Sequence, residues 1–167
     1  KVHADDTPVP VLDPGRGKTK TGRLWTYVRD DRPAGSGDPP AVWYRYSPDR
    51  KSEHPQAHLR GFRGILQADA YSGFAPLYDD GSVLEAACWA HARRKFYDVY
   101  VVERSPIATE ALQRIGALYG IERDMRGRLP ALRARLRQQR AGPLLDALHA
   151  WLAATLPTVS AKSELAG

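Results

Sequence analysis

The feature that most constrains the fold is a change of hydrophobic pattern near residue 104. Before it, aromatic and β-branched runs alternate with stretches rich in proline and glycine, a pattern typical of β-strands joined by turns. After it, apolar residues recur at helical spacing behind Ser105-Pro106, a pair that favours a helix start. The sequence therefore predicts a mixed α/β region over residues 1–103 and an α-helical region over residues 104–167.

Four apolar runs in the first region predict strands. They cover residues 2–12, 24–28, 41–46 and 64–69. Pro8 and Pro10 confine the first run to a sheet edge or make it end early, because proline cannot donate a ladder hydrogen bond. With a basic hairpin loop over residues 13–22, the first three runs are expected to form an antiparallel meander.

Several short signals predict helices. Ser52 can cap a short helix over residues 52–62, and Gly81-Ser82 indicates a helix start before the apolar segment 83–100. Gly142-Pro143 is expected to break the chain and start a last helix. The arginines over residues 123–140 are interpreted as the solvated side of an amphipathic helix, with DNA contact as the alternative.

Composition narrows the function class. The formal net charge of +6 over 167 residues favours a polyanionic partner such as nucleic acid. Cys88 is the single cysteine, which excludes an internal disulfide framework and points to a reducing, cytoplasmic compartment. No apolar run is long enough to span a bilayer, so no membrane partner is expected.

Two acidic motifs stand where predicted strands end. Asp5 lies in the first motif, residues 3–7, and Asp69 in the second, residues 67–73. Enzymes that cut or join polynucleotides bring carboxylates from neighbouring strands onto two divalent cations about 3.5–4 Å apart, and Mg²⁺ prefers such hard oxygen ligands. The alternative is that Asp5 or Asp6 merely caps a turn and that Asp69 opens an Asx-turn.

A third motif, residues 88–96, reads Cys-Trp-Ala-His-Ala-Arg-Arg-Lys-Phe. Its Cys88 and His91 have zinc-ligand spacing, but a structural zinc site usually needs a second such pair. The alternatives are a buried start of the motif with a solvated basic triplet, or Arg93, Arg94 and Lys95 facing a phosphate backbone.

In order and separation, the three motifs together resemble those of the insertion sequence 66 transposase family. The resemblance implies a ribonuclease-H-like mixed sheet with helices, incomplete over residues 1–103, followed by a truncated helical insertion over residues 104–167. It also implies an acid-acid-glutamate triad, with Asp5 and Asp69 as the first two acids and as ligands of two Mg²⁺ or Mn²⁺ ions. DNA, as element ends and target, is the implied partner, possibly together with other transposase subunits.

The chain departs from the family pattern at the third acid. The family's glutamate lies in a later Asn-Asn-x-x-Glu-Arg-type motif, and none of the remaining acids, Glu164 included, stands in such a motif. Smaller departures are Asp6 where the family usually has glutamate and Ala70 where it often has glycine. The complete protein is expected to hydrolyse DNA and transfer strands, and the isolated chain to be inactive.

Two other functions remain open. One is a truncated transposase remnant that only binds DNA, through Arg93, Arg94, Lys95 and the later arginine-rich helix. The other is a metal-dependent nuclease or phosphatase of a different lineage that uses the same two aspartates.

Overall fold

A computed structural model describes residues 1–160, Ser163 and Leu165. The chain forms two compact units, Lys1–Cys88 and Trp89–Gly167. The boundary predicted after residue 103 falls inside the second unit.

The first unit is built on one five-stranded mixed sheet. Its strands are β1 (Val2–Asp13), β2 (Lys18–Arg29), β3 (Ala41–Ser47), β4 (Gly64–Ala68) and β5 (Val83–Ala87). They lie in the order β3-β2-β1-β4-β5. The first three form the predicted antiparallel meander, whereas β4 runs parallel to both β1 and β5. The mixed α/β class predicted from the sequence is confirmed.

Strand β1 is longer and more central than its prolines indicated. It pairs with β2 over nearly its whole length, and its first residues, Val2 and His3, also pair with β4. Pro8 and Pro10 lie beyond the residues of β1 that pair with β4. At these positions β1 pairs with β2 alone, so a proline whose missing N–H would face the unpaired side of β1 loses no ladder hydrogen bond. Since β2 already begins at Lys18, the hairpin loop is shorter than predicted.

The predicted helix start at Gly81-Ser82 is wrong. Strand β5 follows directly, and residues Val83–Ala87 pair in register with Gly64–Ala68. Val83 is buried and Leu84 is exposed, which is the alternation of a strand with one covered face. Gly81 has a φ of +69°, so this glycine serves a turn into a strand.

The core of the first unit lies on one face of the sheet. Trp25, Leu66 and Phe74 are its largest fully buried apolar side chains. The indole Nε1 of Trp25 donates to Oγ of Ser47 at 2.7 Å. This bond gives the buried indole N–H the hydrogen-bond partner that it needs away from water. Helix α1 (Glu53–His58) and a 3₁₀-helix at Ser72–Leu77 contribute buried residues, whereas the 3₁₀-helix at Arg32–Ala34 has none. Ser52 precedes α1 as expected, but its side chain makes no capping bond.

The second unit is helical, as predicted. It contains α2 (Trp89–Glu103), α3 (Pro106–Asp124), α4 (Pro130–Leu136) and α5 (Gly142–Thr155), with a short 3₁₀-helix at Leu156–Thr158. Oγ of Ser105 accepts the N–H of Ala108, which confirms the predicted cap of α3. The last helix begins at Gly142 as predicted, but the predicted break there is wrong, because a π-helical turn, Arg137–Ala141, joins α4 to α5 and Gly142 keeps helical dihedrals.

Within the described part of the chain, no helix combines the length and apolar character needed to cross a membrane.

Candidate functional site

The register of the parallel strands β1 and β4 relates Asp5 to Asp69. The pairing of β1 with β4 ends at His3 opposite Gln67, and each aspartate lies two residues further along the chain. Asp5 is exposed and Asp69 is half-buried. By this register the two residues stand at the same level of the sheet, Asp5 inside β1 and Asp69 just past the carboxyl end of β4.

The hydrogen bonds around Asp69 lead to Asp6. Nε of Arg50 donates to Oδ1 of Asp6 at 2.8 Å, and Nη2 of Arg50 donates to Oδ2 of Asp69 at 2.9 Å. Asp6 also accepts from Nη1 of Arg23 at 3.0 Å. Its side chain is only 3% exposed, so the two guanidinium groups compensate a carboxylate that has lost most of its water.

Successive side chains on a strand point to opposite faces. Asp6 therefore lies on the same face as Ala4, whose side chain belongs to the core, and Asp5 lies on the other face. The carboxylate of Asp5 accepts the backbone N–H of Asp6 at 2.8 Å. Asp6 and Asp69 are thus joined through Arg50, while the side chain of Asp5 is exposed on the opposite face of β1.

Arg50 is fixed by contacts on several sides. Its guanidinium carbon lies 4.2 Å from the ring centroid of Tyr71, and the hydroxyl of Tyr71 donates to the carbonyl oxygen of Arg50. Partial burial alone would lower the pKa of Arg50, but the hydrogen bonds to Asp6 and Asp69 raise it overall. Arg50 therefore remains a permanent cation between the two carboxylates.

Asp69 also closes the turn that follows β4. Its Oδ1 accepts the backbone N–H of Tyr71 at 3.1 Å, which is the turn-capping alternative considered for this residue. Each carboxylate oxygen has two lone pairs, so one hydrogen bond to each oxygen leaves further acceptor capacity on Asp69. Turn capping and cation binding are chemically compatible here.

A complete metal centre requires more donors than this edge supplies. In the part of the chain that the structure describes, no group of three or more His, Cys, Asp and Glu side chains could hold a metal ion. Glu164 lies outside the described residues. Carboxylate oxygens are the kind of donor that Mg²⁺ prefers, and a site for this ion requires further oxygen ligands.

The sequence reasoning missed Arg50 and the role of Asp6. Arg50 stands in a loop after β3, 44 residues from Asp6, and no periodicity or motif connects the two. A physical argument could have indicated such a residue. Two neighbouring carboxylates, here Asp6 and Asp69, repel each other, and a nearby cationic side chain stabilises their charged forms.

The basic triplet lies on α2 in the second unit. Arg93, Arg94 and Lys95 are all exposed, and within the described residues none of them forms an ion pair. The buried start predicted for this motif is only partly found. Cys88 is half-buried, but Trp89 is 42% exposed and lines a cavity of about 430 Å³ with residues of α3 and α5.

Part of the arginine-rich segment is already neutralised by acids of α3. Arg137 donates from Nε and Nη2 to the two carboxylate oxygens of Glu122, at 2.6 and 2.7 Å. This pairing lowers the pKa of Glu122. Arg140 pairs with Asp124 at 2.9 Å. These two arginines join the π-helical turn to α3, so their charges are less available to DNA than those of the basic triplet.

Comparison with known proteins places these observations in a family. The sequence model described as Transposase IS66 family matches residues 1–167. The chain belongs to this family. Three uncharacterized proteins of Sinorhizobium fredii are also similar to it: y4hP is 41% identical over 181 residues, y4qI 40% over 173 and y4jD 39% over 172.

Each of these alignments covers 99% of this chain but only 32–34% of the relative. The chain thus spans about a third of the length of the curated relatives it matches. No solved structure matches it.

The backbone conformation of Ala70 explains why a glycine at this position suits the IS66 family. Ala70 directly follows Asp69 and has a φ of +61°, in the left-handed region that favours glycine. The family resemblance places glycine there in many members, and this backbone conformation favours glycine. The chain keeps the same turn after Asp69 although alanine makes it more strained.

Proposed function

We propose that this IS66-family chain is part of a DDE transposase core, in which Asp5 and Asp69 are the first two catalytic acids and ligands of Mg²⁺ or Mn²⁺. The observation that supports the proposal is the strand register: His3 pairs with Gln67, and Asp5 and Asp69 each follow two residues later along the chain. The five-stranded sheet supports the narrower ribonuclease-H-like assignment. The substrate is DNA, at element ends and target, in the cytoplasm, and other transposase subunits are expected partners.

Asp5 and Asp69 would each contribute carboxylate oxygens to the two ions expected in the complete site. When bound, these ions activate the attacking oxygen and stabilise the leaving oxygen of a phosphodiester. Arg50 holds Asp69 through Oδ2, and the N–H of Tyr71 holds it through Oδ1. Such outer contacts fix the orientation of a ligand carboxylate before the cation arrives.

One observation favours a second candidate, a remnant that binds DNA without cutting it. The described residues contain no three-acid group, whereas the exposed basic triplet on α2 has no acidic partner among them. A DNA-binding chain requires only the second of these features.

The proposal is tested by titrating the chain with Mn²⁺ and following the free ion by electron paramagnetic resonance. Asp69→Ala and Asp5→Ala should each weaken Mn²⁺ binding by about tenfold or more, because each removes a direct ligand. Asp38→Ala is the matched control, since Asp38 is an exposed carboxylate paired with Arg29. Equal Mn²⁺ affinity in all four proteins would rule out the metal assignment.

A further inference from the structure

A groove lies between α2 and α3 in the helical unit, and aromatic and basic side chains share it. Its volume is about 660 Å³, within the range of about 300–1,000 Å³ typical of small-molecule sites. Its lining residues are Ala90, Arg93, Arg94, Tyr97, Asp98 and Tyr119. The groove is therefore large enough for a base-sized planar group.

Two tyrosines in the groove keep large exposed areas although α2 and α3 pack together. Tyr97 is 46% exposed and Tyr119 is 43% exposed. The guanidinium carbon of Arg93 lies 5.9 Å from the ring centroid of Tyr97, close enough for a cation–π contact. Such rings offer faces on which another planar group can stack.

The groove carries a net positive charge. Arg93 and Arg94 are exposed and form no ion pair within the described residues, whereas Arg114 pairs with Glu110 in the same unit. Asp98 also lines the groove, so the two arginines outweigh a single carboxylate. This balance favours an anionic ligand.

We propose that this groove binds unpaired nucleotides of a DNA strand, with bases stacked on Tyr97 and Tyr119 and phosphates held by Arg93 and Arg94. A tyrosine ring stacks on a base only when the face of that base is free, and in a duplex the neighbouring bases cover both faces. Basic grooves with interleaved aromatic rings are the usual means of holding single strands. The inference rests on the proposed function and specifies the form of DNA that the helical unit holds.

The test is fluorescence anisotropy of a labelled single-stranded oligothymidine against the chain in EDTA, with duplex DNA and single-stranded RNA of equal length in parallel. Tyr97→Ala and Tyr119→Ala should each weaken binding of the DNA strand about 5- to 100-fold, and Tyr97→Phe should retain it because the ring remains. Arg93→Gln should flatten the salt dependence by about 0.7 per lost phosphate contact. Tyr44→Ala, at another exposed tyrosine, is the matched control and should change nothing.

Single-strand affinity that is unchanged in both alanine variants would overturn the proposal, as would tighter binding of the duplex or of RNA. Because EDTA removes divalent cations, Asp69→Ala should bind like the unaltered chain. Failure of the metal assignment would therefore leave this result intact, and failure here would leave the metal assignment intact.

Discussion

Arg50 compensates two carboxylates at once, and one of them, Asp6, is almost fully buried. Arg50→Ala should lower the free energy of unfolding by about 1–3 kcal/mol, because Asp6 would keep only Arg23 as a cationic partner. The figure stays below that for a fully buried pair since the Arg50 side chain is 35% exposed. Urea denaturation followed by circular dichroism measures the change.

Two variants serve as controls for Arg50→Ala. Arg29 pairs with Asp38 on the exposed surface, so Arg29→Ala should cost no more than about 1 kcal/mol. Arg50→Lys should lie between the two, because an ammonium group keeps the charge but lacks the planar fork that reaches both carboxylates. If Arg50→Ala lowered the free energy of unfolding no more than Arg29→Ala does, the bridge from Arg50 to Asp6 and Asp69 would not contribute to stability.

At the level of elements, one hydrogen bond joins α1 to the sheet through a titratable ring. The hydroxyl of Tyr27 on β2 lies 2.9 Å from Nδ1 of His58 on α1. Burial lowers the pKa of His58 below its ordinary value of 6.5, and the charges of Arg45 and His54 lower it further. The folded state therefore favours the neutral ring.

The pH dependence of stability follows from this shift. Below about pH 6.5 the unfolded chain binds a proton at His58 more readily than the folded chain, so the free energy of unfolding should fall as the pH falls from 7 to 5. His58→Gln should make this dependence shallower. Urea denaturation at several pH values measures the slope.

A second histidine, His3, provides a comparison for His58→Gln. Its pKa is also lowered, mainly by burial, so His3→Gln should remove a separate part of the same slope, and the double variant should lose more than either single one. A slope identical in the chain and in His58→Gln would show that the contact between α1 and β2 does not depend on the charge of the ring.

For the whole molecule, catalysis should require more protein than this chain contains. Two carboxylates can recruit a cation, but two ions aligned on a phosphodiester require additional ligands, and the described residues contain no group of three or more His, Cys, Asp and Glu side chains that could hold a metal ion. The isolated chain should therefore give no nicked or strand-transfer products from labelled element-end DNA with Mg²⁺ or Mn²⁺. Gel electrophoresis of the labelled strands scores both products.

The full-length y4hP protein, of which the matched region is 32%, is the natural comparison. Under the proposed function, a complete protein of this kind should cut element-end DNA, and alanine in place of the aspartate that aligns with Asp69 should abolish the products. Metal-dependent cutting by the isolated chain that disappears in Asp69→Ala would instead mean that a second copy, or an acid outside the described residues, completes the site.

The sequence by itself determined the features that depend on local chemistry. Aromatic and β-branched runs determined the meander, and Ser105-Pro106 determined the start of α3, because propensity and capping act within a few residues. The placement of Asp69 directly after an apolar strand was also predictable, and with it the candidate pair of Asp5 and Asp69. The catalytic role of that pair stays a prediction.

Only the tertiary structure decided what depends on residues far apart in the chain. The segment 83–87 could have begun a helix, and its parallel pairing with β4 makes it a strand. Arg50 reaches Asp6 across 44 positions, and the groove on the helical unit exists because α2 and α3 bring Tyr97 and Tyr119 together. Contacts of this kind are set by packing and charge compensation between distant segments, which no local pattern of residues encodes.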